Sequence, residues 1–384
     1  MTEEFLPFSR PSISQAAIDD VVACLQSGWV ATGPRVTQFT EALKEYFQAP
    51  YVLPLMSATA GLHFSLLAMG LAPGDEVITT PLTFAATLNT IVLAGGRPVL
   101  VDIDPATLNI DLNKLEEAIT ERTRVIMPVH FAGLPVDLDI IYQLAESRGL
   151  RVLEDAAHAI GSEYKGKRIG SFGDTQVYSF HPTKNITTGE GGCVVTRDAE
   201  LAKTVGLLRF HGIDRESWNR YGKSGNQDYE IVMPGYKSNM MDIQAAIGIH
   251  QLRELEGFIT RRNELAERYQ EALSDWPQWM LPLRPSYDHR HAWHIYPALI
   301  NEQVANMNRE EFMAAMKAKN IGVGLHYHAA HLYPYYREQF GYQPGDFPHA
   351  EFVGERIMSL PLFPAMTDAD HDRVLDVMYS ILHK

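Results

Sequence analysis

The chain has 384 residues, 46% of them hydrophobic and 21% charged, enough to bury a large core and far from the composition of a disordered or fibrous protein. Its formal net charge is −14 with no cluster of Lys and Arg, which argues against a nucleic-acid partner, although a pocket can still be positive locally at a helix N-terminus or a single basic side chain. No apolar run approaches the ~20 residues that span a bilayer, and the opening MTEEFLPFSRPSIS lacks a basic region followed by an apolar one, so a cytoplasmic protein without a membrane partner is expected. Cys24 and Cys193 have no metal-binding or redox spacing and read as buried, neutral thiols, and no metal site is expected.

Residues 1–45 read as an N-terminal arm and helix, with a loop in SGWVATGPR marked by Gly28, Gly33 and Pro34. From residue 46 short apolar runs alternate with helical patterns. The strand YVLPLM precedes the helix SATAGLHFSLLAMGL, and the strand DEVITT precedes the helix FAATLNTIVLAG. The strand RPVLVDID, the helix DLNKLEEAI and the strand RVIMPVH follow, and then the helix LDIIYQLAESRG and the strand RVLEDAA. TQVYSF and GGCVVT are two further strand candidates. Such alternation predicts right-handed crossovers on a mostly parallel sheet covered on both faces, hence an α/β fold. The long amphipathic stretch DIQAAIGIHQLRELEGFITRRNELAERYQEAL reads as one helix leading out of a large domain at 46–255 into a smaller α+β domain at 256–384. That second unit is expected to hold the strand HAWHIYPALI, the helix REEFMAAMKAKN and a terminal helix after TDADHDRV.

In a parallel α/β sheet ligands sit beyond the carboxyl ends of the strands. Those ends carry SATAG, PLTF, PVHFAG, EDAAH and SFHPTKN, which together supply a phosphate cradle, an aromatic ring, a carboxylate and a lysine. Ser57, Ala58 and Thr59 open a helix whose amides can hold a phosphate, although a simple N-cap at Ser57 or Thr59 explains the same residues. Asp155 can pair with a protonated heterocyclic nitrogen, as pyridoxal phosphate chemistry requires, or cap a helix. Phe84 can stack on the ring or join the core. Lys184 decides between these readings. A lysine 29 residues beyond Asp155, at another strand end, between Ser179 and the loop TTGEGG, suits a Schiff base better than a solvated surface.

The ordered set SATAGLH, PLTFAATLNTI, PVHFAG, EDAAHA, SFHPTKNITTGEGG, RFHG, GYKSNMMDIQAA and SLPLFP resembles the DegT/DnrJ/EryC1/StrS family of sugar aminotransferases over nearly the whole chain. GLHYHAAH, HAWHIY, SGWVATGP and FSRP are most similar to the branch that transaminates a UDP-4-keto-pentose for lipid A modification with aminoarabinose. Phe84 and the PT of FHPTKN depart from that branch, which carries Trp and AI there. The resemblance implies a fold type I pyridoxal phosphate transferase, normally a homodimer. It assigns Lys184 to the covalent bond with the cofactor, Asp155 to the pyridine nitrogen, His158 to the neighbourhood of the ring hydroxyl and Phe84 to stacking. Ala58, Thr59 and Ser179 match phosphate contacts, and Asn239 matches an asparagine reaching the phosphate from the neighbouring subunit.

The reaction this implies passes the amine of L-glutamate, which leaves as 2-oxoglutarate, to a ketone of a nucleotide-linked sugar, with Lys184 as the base. Arg209, His211, Lys237, His326 and His331, with Thr32 and Gly33 in the early loop, are the candidates for the nucleotide sugar, and each can equally be structural. A dehydratase branch replaces the lysine with histidine, against Lys184. A desulfurase would need a mobile cysteine loop, which neither Cys24 nor Cys193 suggests. A ligand-sensing protein on the same fold is the remaining alternative.

Overall fold

The computed structural model describes residues 4–214, 229–282 and 285–383. After the helices α1 (Gln15–Ser27) and α2 (Pro34–Phe47) comes a seven-stranded sheet. Its strands are β1 (Tyr51–Leu55), β2 (Glu76–Thr79), β3 (Arg97–Leu100), β4 (Thr123–Ile126), β5 (Arg151–Asp155), β8 (Thr175–Ser179) and β9 (Gly192–Thr196); β6 (Glu163–Tyr164) and β7 (Lys167–Arg168) form a short hairpin aside. The spatial order is β1-β9-β8-β5-β4-β2-β3, and only β9 runs against the rest, so the sheet is mostly parallel as the alternating pattern predicts.

Strand residues alternate between two apolar layers, as a pleated strand requires. Val52, Ile78, Ile126, Val152 and Val195 face α2, α5 (Leu138–Arg148) and the first half of α7 (Asp242–Leu273). Leu53, Val77, Val125, Leu153 and Val194 face α3 (Ala58–Ala68), α4 (Ala85–Leu93) and α6 (Ala199–Leu208). The same alternation separates two adjacent acids on β5. Glu154 turns towards α5, where Tyr142 Oη and Gln176 Nε2 each donate at 2.6 Å. His130 Nδ1 accepts the Val136 N–H, so its Nε2 donates to Glu154 at 2.8 Å. Asp155 turns towards α4 at the carboxyl edge.

The segment DLNKLEEAI is not an α-helix. It holds turns and a single 3₁₀ turn at Glu116–Ala118. Asp111 Oδ1 takes the Asn113 amide, a local bond that competes with helix initiation, and Asp111 N is tied to Asp102 O; nine residues so held cannot repay helix nucleation.

The 32-residue α7 runs unbroken past the expected boundary at 255/256. Leu255 and Ile259 pack in the sheet core, whereas Leu265, Tyr269 and Leu273 pack in another with β12 (Tyr296–Ile300), β13 (Ile357–Leu360), α9 (Arg309–Ala318) and α12 (Asp368–Leu382). Within HAWHIYPALI the strand begins only at Tyr296; residues 291–295 leave it, and Arg262 of α7 explains how they are held. Its buried guanidinium donates to the carbonyls of Trp293, His294 and Leu362 at 3.0–3.2 Å. Short elements β10 (Trp279–Met280), β11 (His289–Arg290), α8 (Glu302–Ala305), α10 (Pro334–Phe340) and α11 (Pro348–Arg356) complete the described chain.

At the first residue of α7, the fully buried Asp242 holds the early loop: Oδ1 accepts from Gly33 N and Val36 N, Oδ2 from Arg35 N, at 2.8–3.1 Å. A carboxylate here caps α2 across 200 residues of sequence. Asp242→Ala leaves these amides, two of them buried, without partners and is expected to lower unfolding stability by about 2 to 3 kcal/mol in a denaturant titration, with Asp242→Asn losing less. An unchanged transition would show that water replaces the carboxylate.

Candidate active site

The site is built where β1, β5 and β8 end. Asp155 is 6% exposed, and its carboxylate accepts from Thr87 Oγ1 at 2.7 Å and from Ala157 N at 3.2 Å. Because Thr87 gives its proton to Asp155, Thr83 Oγ1 must be the donor in its 2.7 Å contact with Thr87. Among the described residues no Lys, Arg or His forms an ion pair with Asp155. Burial therefore raises its pKa, opposed by the two hydrogen bonds and by the charge of Lys184. A buried carboxylate short of a cation fits a protonated ring nitrogen.

Lys184 as a whole is half-buried, but its Nζ lies 3.4 Å from Nε2 of His294, a ring only 2% exposed. Desolvation dominates and lowers the amine to about 8, with Asp155 pulling the other way. Lys184 is thus poised to react as a neutral amine just above neutral pH.

The phosphate cradle follows from capping arithmetic. Ser57 caps α3, its Oγ accepting the Ala60 amide at 3.1 Å, and its carbonyl accepts the Gly61 amide, which leaves the Ala58 and Thr59 amides without intrahelical partners. The N-cap and the anion site therefore coexist. Gly192 pairs with Leu55 on one side and Ser179 on the other, and a Cβ there would stand 2.5 Å from Ala58 N. Only glycine lets Ser179 and the α3 terminus close on one small space, which fits a phosphate.

Phe84 is 59% exposed, its ring 5.9 Å from that of Tyr327. His158 is buried, 4.3 Å from the His294 ring, and burial followed by the charge of Lys184 keeps it neutral, well below the usual histidine range. His326, on the same side as Lys184, bonds Ser359 Oγ at 2.8 Å and is pushed down to about 4 by burial. So Lys184, Asp155, His158, Phe84 and His326 gather in one place. Thr32, Arg209, His211, Lys237 and Asn239 gather in a second, beside the end of β1. Arg209 Nη1 donates to Pro54 O at 2.9 Å, Asn239 pairs with Leu55 and bonds Thr32 Oγ1, and Lys237 lies 4.2 Å over the Phe210 ring. His211 is exposed at the turn joining these strands, and Gly33 is bound to Asp242.

His331 belongs to neither group. It is fully buried, bonded to Glu351 at 2.9 Å and packed on Phe347, a structural setting that corrects its reading as a substrate contact. Three residues escaped the sequence reading: Thr87, His294 and Tyr327. Thr83, Thr87 and Thr90 on one buried side of an otherwise apolar segment were a usable signal for the first. For the other two only the fold brings chain segments 110 and 169 residues apart together.

An electron-poor ring held by Asp155, a reactive amine at Lys184 and a phosphate cradle define a pyridoxal phosphate enzyme. The comparisons with known proteins make it specific: residues 11–379 match the DegT/DnrJ/EryC1/StrS aminotransferase family, and the chain belongs to it. It is 46% identical to the spore coat polysaccharide biosynthesis protein SpsC of Bacillus subtilis, over 98% of this chain and 97% of that protein. The solved pyridoxal phosphate form of the putative sugar aminotransferase Spr1654 of Streptococcus pneumoniae superposes with a TM-score of 0.90 at 31% identity, covering 99% of both chains. Helicobacter pylori PseC, an aminotransferase of pseudoaminic acid biosynthesis, gives 0.91 at 30% identity over 99% of this chain and 100% of that one. The protein is an aminotransferase of fold type I, and its cofactor is pyridoxal phosphate.

Capture of the cofactor needs a neutral amine, so the pH dependence of that step reads Lys184 directly. The rate at which cofactor-free protein takes up pyridoxal phosphate, trapped by borohydride and counted by mass, should rise with pH and level off above about 8. A rise continuing towards the ordinary lysine value near 10.5 would show that the amine is not desolvated.

Proposed function

We propose that the protein moves the amino group of L-glutamate, released as 2-oxoglutarate, to the keto group of a nucleotide-linked sugar of the UDP-4-keto-pentose kind. The amino sugar formed would serve a cell-surface polysaccharide or lipid A. The observation that carries the transamination is the facing pair of a cation-free buried Asp155 and a desolvated Lys184. The sugar acceptor is supported by the names of SpsC, Spr1654 and PseC and by the motifs GLHYHAAH and HAWHIY.

When bound, the cofactor supplies the electron sink that lets a substrate carbon give up and regain a proton. Asp155 would hold its ring nitrogen, Phe84 its face, Ala58, Thr59 and Ser179 its phosphate, and Lys184 its carbonyl carbon. Thr87 keeps one Asp155 oxygen occupied, which fixes the carboxylate plane. Lys184 Nζ, with its lowered pKa, accepts the substrate proton and returns it. His294 holds that amine in place at 3.4 Å. Arg209, Lys237 and His211 offer positive charge for a diphosphate, with His326 and Thr32 towards the sugar.

A homodimer with shared sites belongs to the same reading. Ile18, Val22, Leu25, Trp29 and Val30 on α1 and the loop after it are exposed, as are Met56, Tyr236 and Met241. Such an apolar surface suits a second copy, and Asn239 beside it would then reach the neighbouring phosphate. No helix among the described residues is long and apolar enough to cross a membrane, and we place the protein in the cytoplasm.

The test is a screen of nucleotide-linked 4-keto and 3-keto sugars against protein first converted by L-glutamate to the amine-loaded form. Return of the visible absorption with a 4-keto sugar, and formation of the amino sugar by mass, is expected. Return only with simple aldehydes or ketones would move the acceptor outside sugars. No reaction with glutamate would leave a cofactor-binding regulator.

A further inference from the structure

The neighbourhood of His158 contains a chain of hydrogen bonds whose direction is fully determined. The backbone N–H of Ala132 has only one way to act, as a donor, and it points to His158 Nδ1 at 3.2 Å. His158 is neutral, so its one ring proton sits on Nε2. Nε2 lies 3.2 Å from Tyr327 Oη and must therefore donate to it. The tyrosine oxygen is spent as an acceptor, and its own proton has no acceptor among the described residues. Burial, then the charge of Asp155, pushes the phenol pKa up, so that proton stays on.

The surroundings fix where this donor stands. The Tyr327 ring is 5.9 Å from Phe84, which faces the open side of the site, and 6.4 Å from Phe131 beneath it. Ala132 itself is clamped, because its carbonyl accepts the His294 amide at 2.9 Å and His294 touches Lys184. The hydroxyl thus lies between the residue that would stack on the cofactor and the rings around the reactive lysine. A donor there needs an oxygen acceptor belonging to a ligand. With Asp155 on the ring nitrogen and Lys184 on the carbonyl carbon, the ring oxygen next to that carbon is the acceptor on this side.

We infer that the Tyr327 hydroxyl, and not the His158 ring, donates the hydrogen bond to the ring oxygen of the bound cofactor, and that His158 acts behind it as a positioning residue. This rests on the pyridoxal phosphate reading given above. Its consequence is electrostatic. A donor on the ring oxygen draws off negative charge that would otherwise hold the proton of the neighbouring nitrogen at Lys184, so that proton leaves at lower pH.

The charged and titratable groups facing that nitrogen are Asp155 from β5, His158 after it, His181 after β8, His294 before β12, and His326 with Tyr327. The histidines are held below their ordinary range by burial, and the remaining terms are common to the wild type and the variants below.

The experiment is a spectrophotometric pH titration of the cofactor-loaded protein without substrate, for wild type, Tyr327→Phe, His158→Gln and His158→Leu. Borohydride trapping and mass analysis of each verifies attachment. Tyr327→Phe should raise the midpoint of the visible transition by about one pH unit, the difference between a hydrogen bond to a charged and to a neutral acceptor. His158→Gln keeps an acceptor and a donor in the chain and should titrate near wild type. His158→Leu should shift less than Tyr327→Phe. An unmoved Tyr327→Phe, or a larger shift in His158→Leu, would overturn the inference and return the contact to His158. Wild-type protein that never attaches the cofactor would instead sink the functional reading beneath it.

Discussion

A buried carboxylate without a cation is the constraint on which this active site depends. Asp155 ends a central strand, 6% exposed, with two neutral donors and no ion-pair partner among the described residues. Leaving a charge so placed is costly in the protein alone, and a protonated ring nitrogen repays it. The neighbouring Glu154 shows the contrast. Equally buried, it takes neutral donors from His130, Tyr142 and Gln176 and has no call for a ligand. One residue of pleat separates a satisfied structural acid from an unsatisfied functional one.

The same desolvation that burdens Asp155 prepares Lys184. Burial lowers the amine to about 8 while Asp155 limits the fall, so neither group alone would be set correctly. Around them lies a shell of neutral rings, His158, His294, His326 and Tyr327, which exclude water and contribute dipoles without adding charge. Two of these come from the far end of the chain. Arg262 on the long α7 holds the 293–294 carbonyls and so carries the core beyond the sheet into register with the lysine. Small-residue packing at Gly192 does the corresponding work for the phosphate end.

Much of this was legible in the sequence. The strand and helix alternation gave the sheet and both of its covering layers, and the strand-end rule led to Asp155, Lys184, Phe84 and the SATAG turn before any coordinates. What escaped had physical causes. DLNKLEEAI carries a helical pattern, but Asp111 and Asn113 bond locally and the span is too short to overcome nucleation. HAWHIYPALI reads as a continuous strand, yet its first half breaks away to deliver His294. In GLHYHAAH the histidines drew attention, whereas Tyr327 between them completes the hydrogen-bond chain and His331 is bound to Glu351. Pattern reports which side chains an element can present; partners 110 or 169 residues away are a property of the fold.

The most direct measurement is the position of the covalent bond. Protein loaded with pyridoxal phosphate, reduced with borohydride and digested, should carry the pyridoxyl group on the peptide containing Lys184 and on no other, and Lys184→Ala should carry none. A label on any other lysine, or one that survives in Lys184→Ala, would contradict the pairing of Lys184 with Asp155 as the centre of the site.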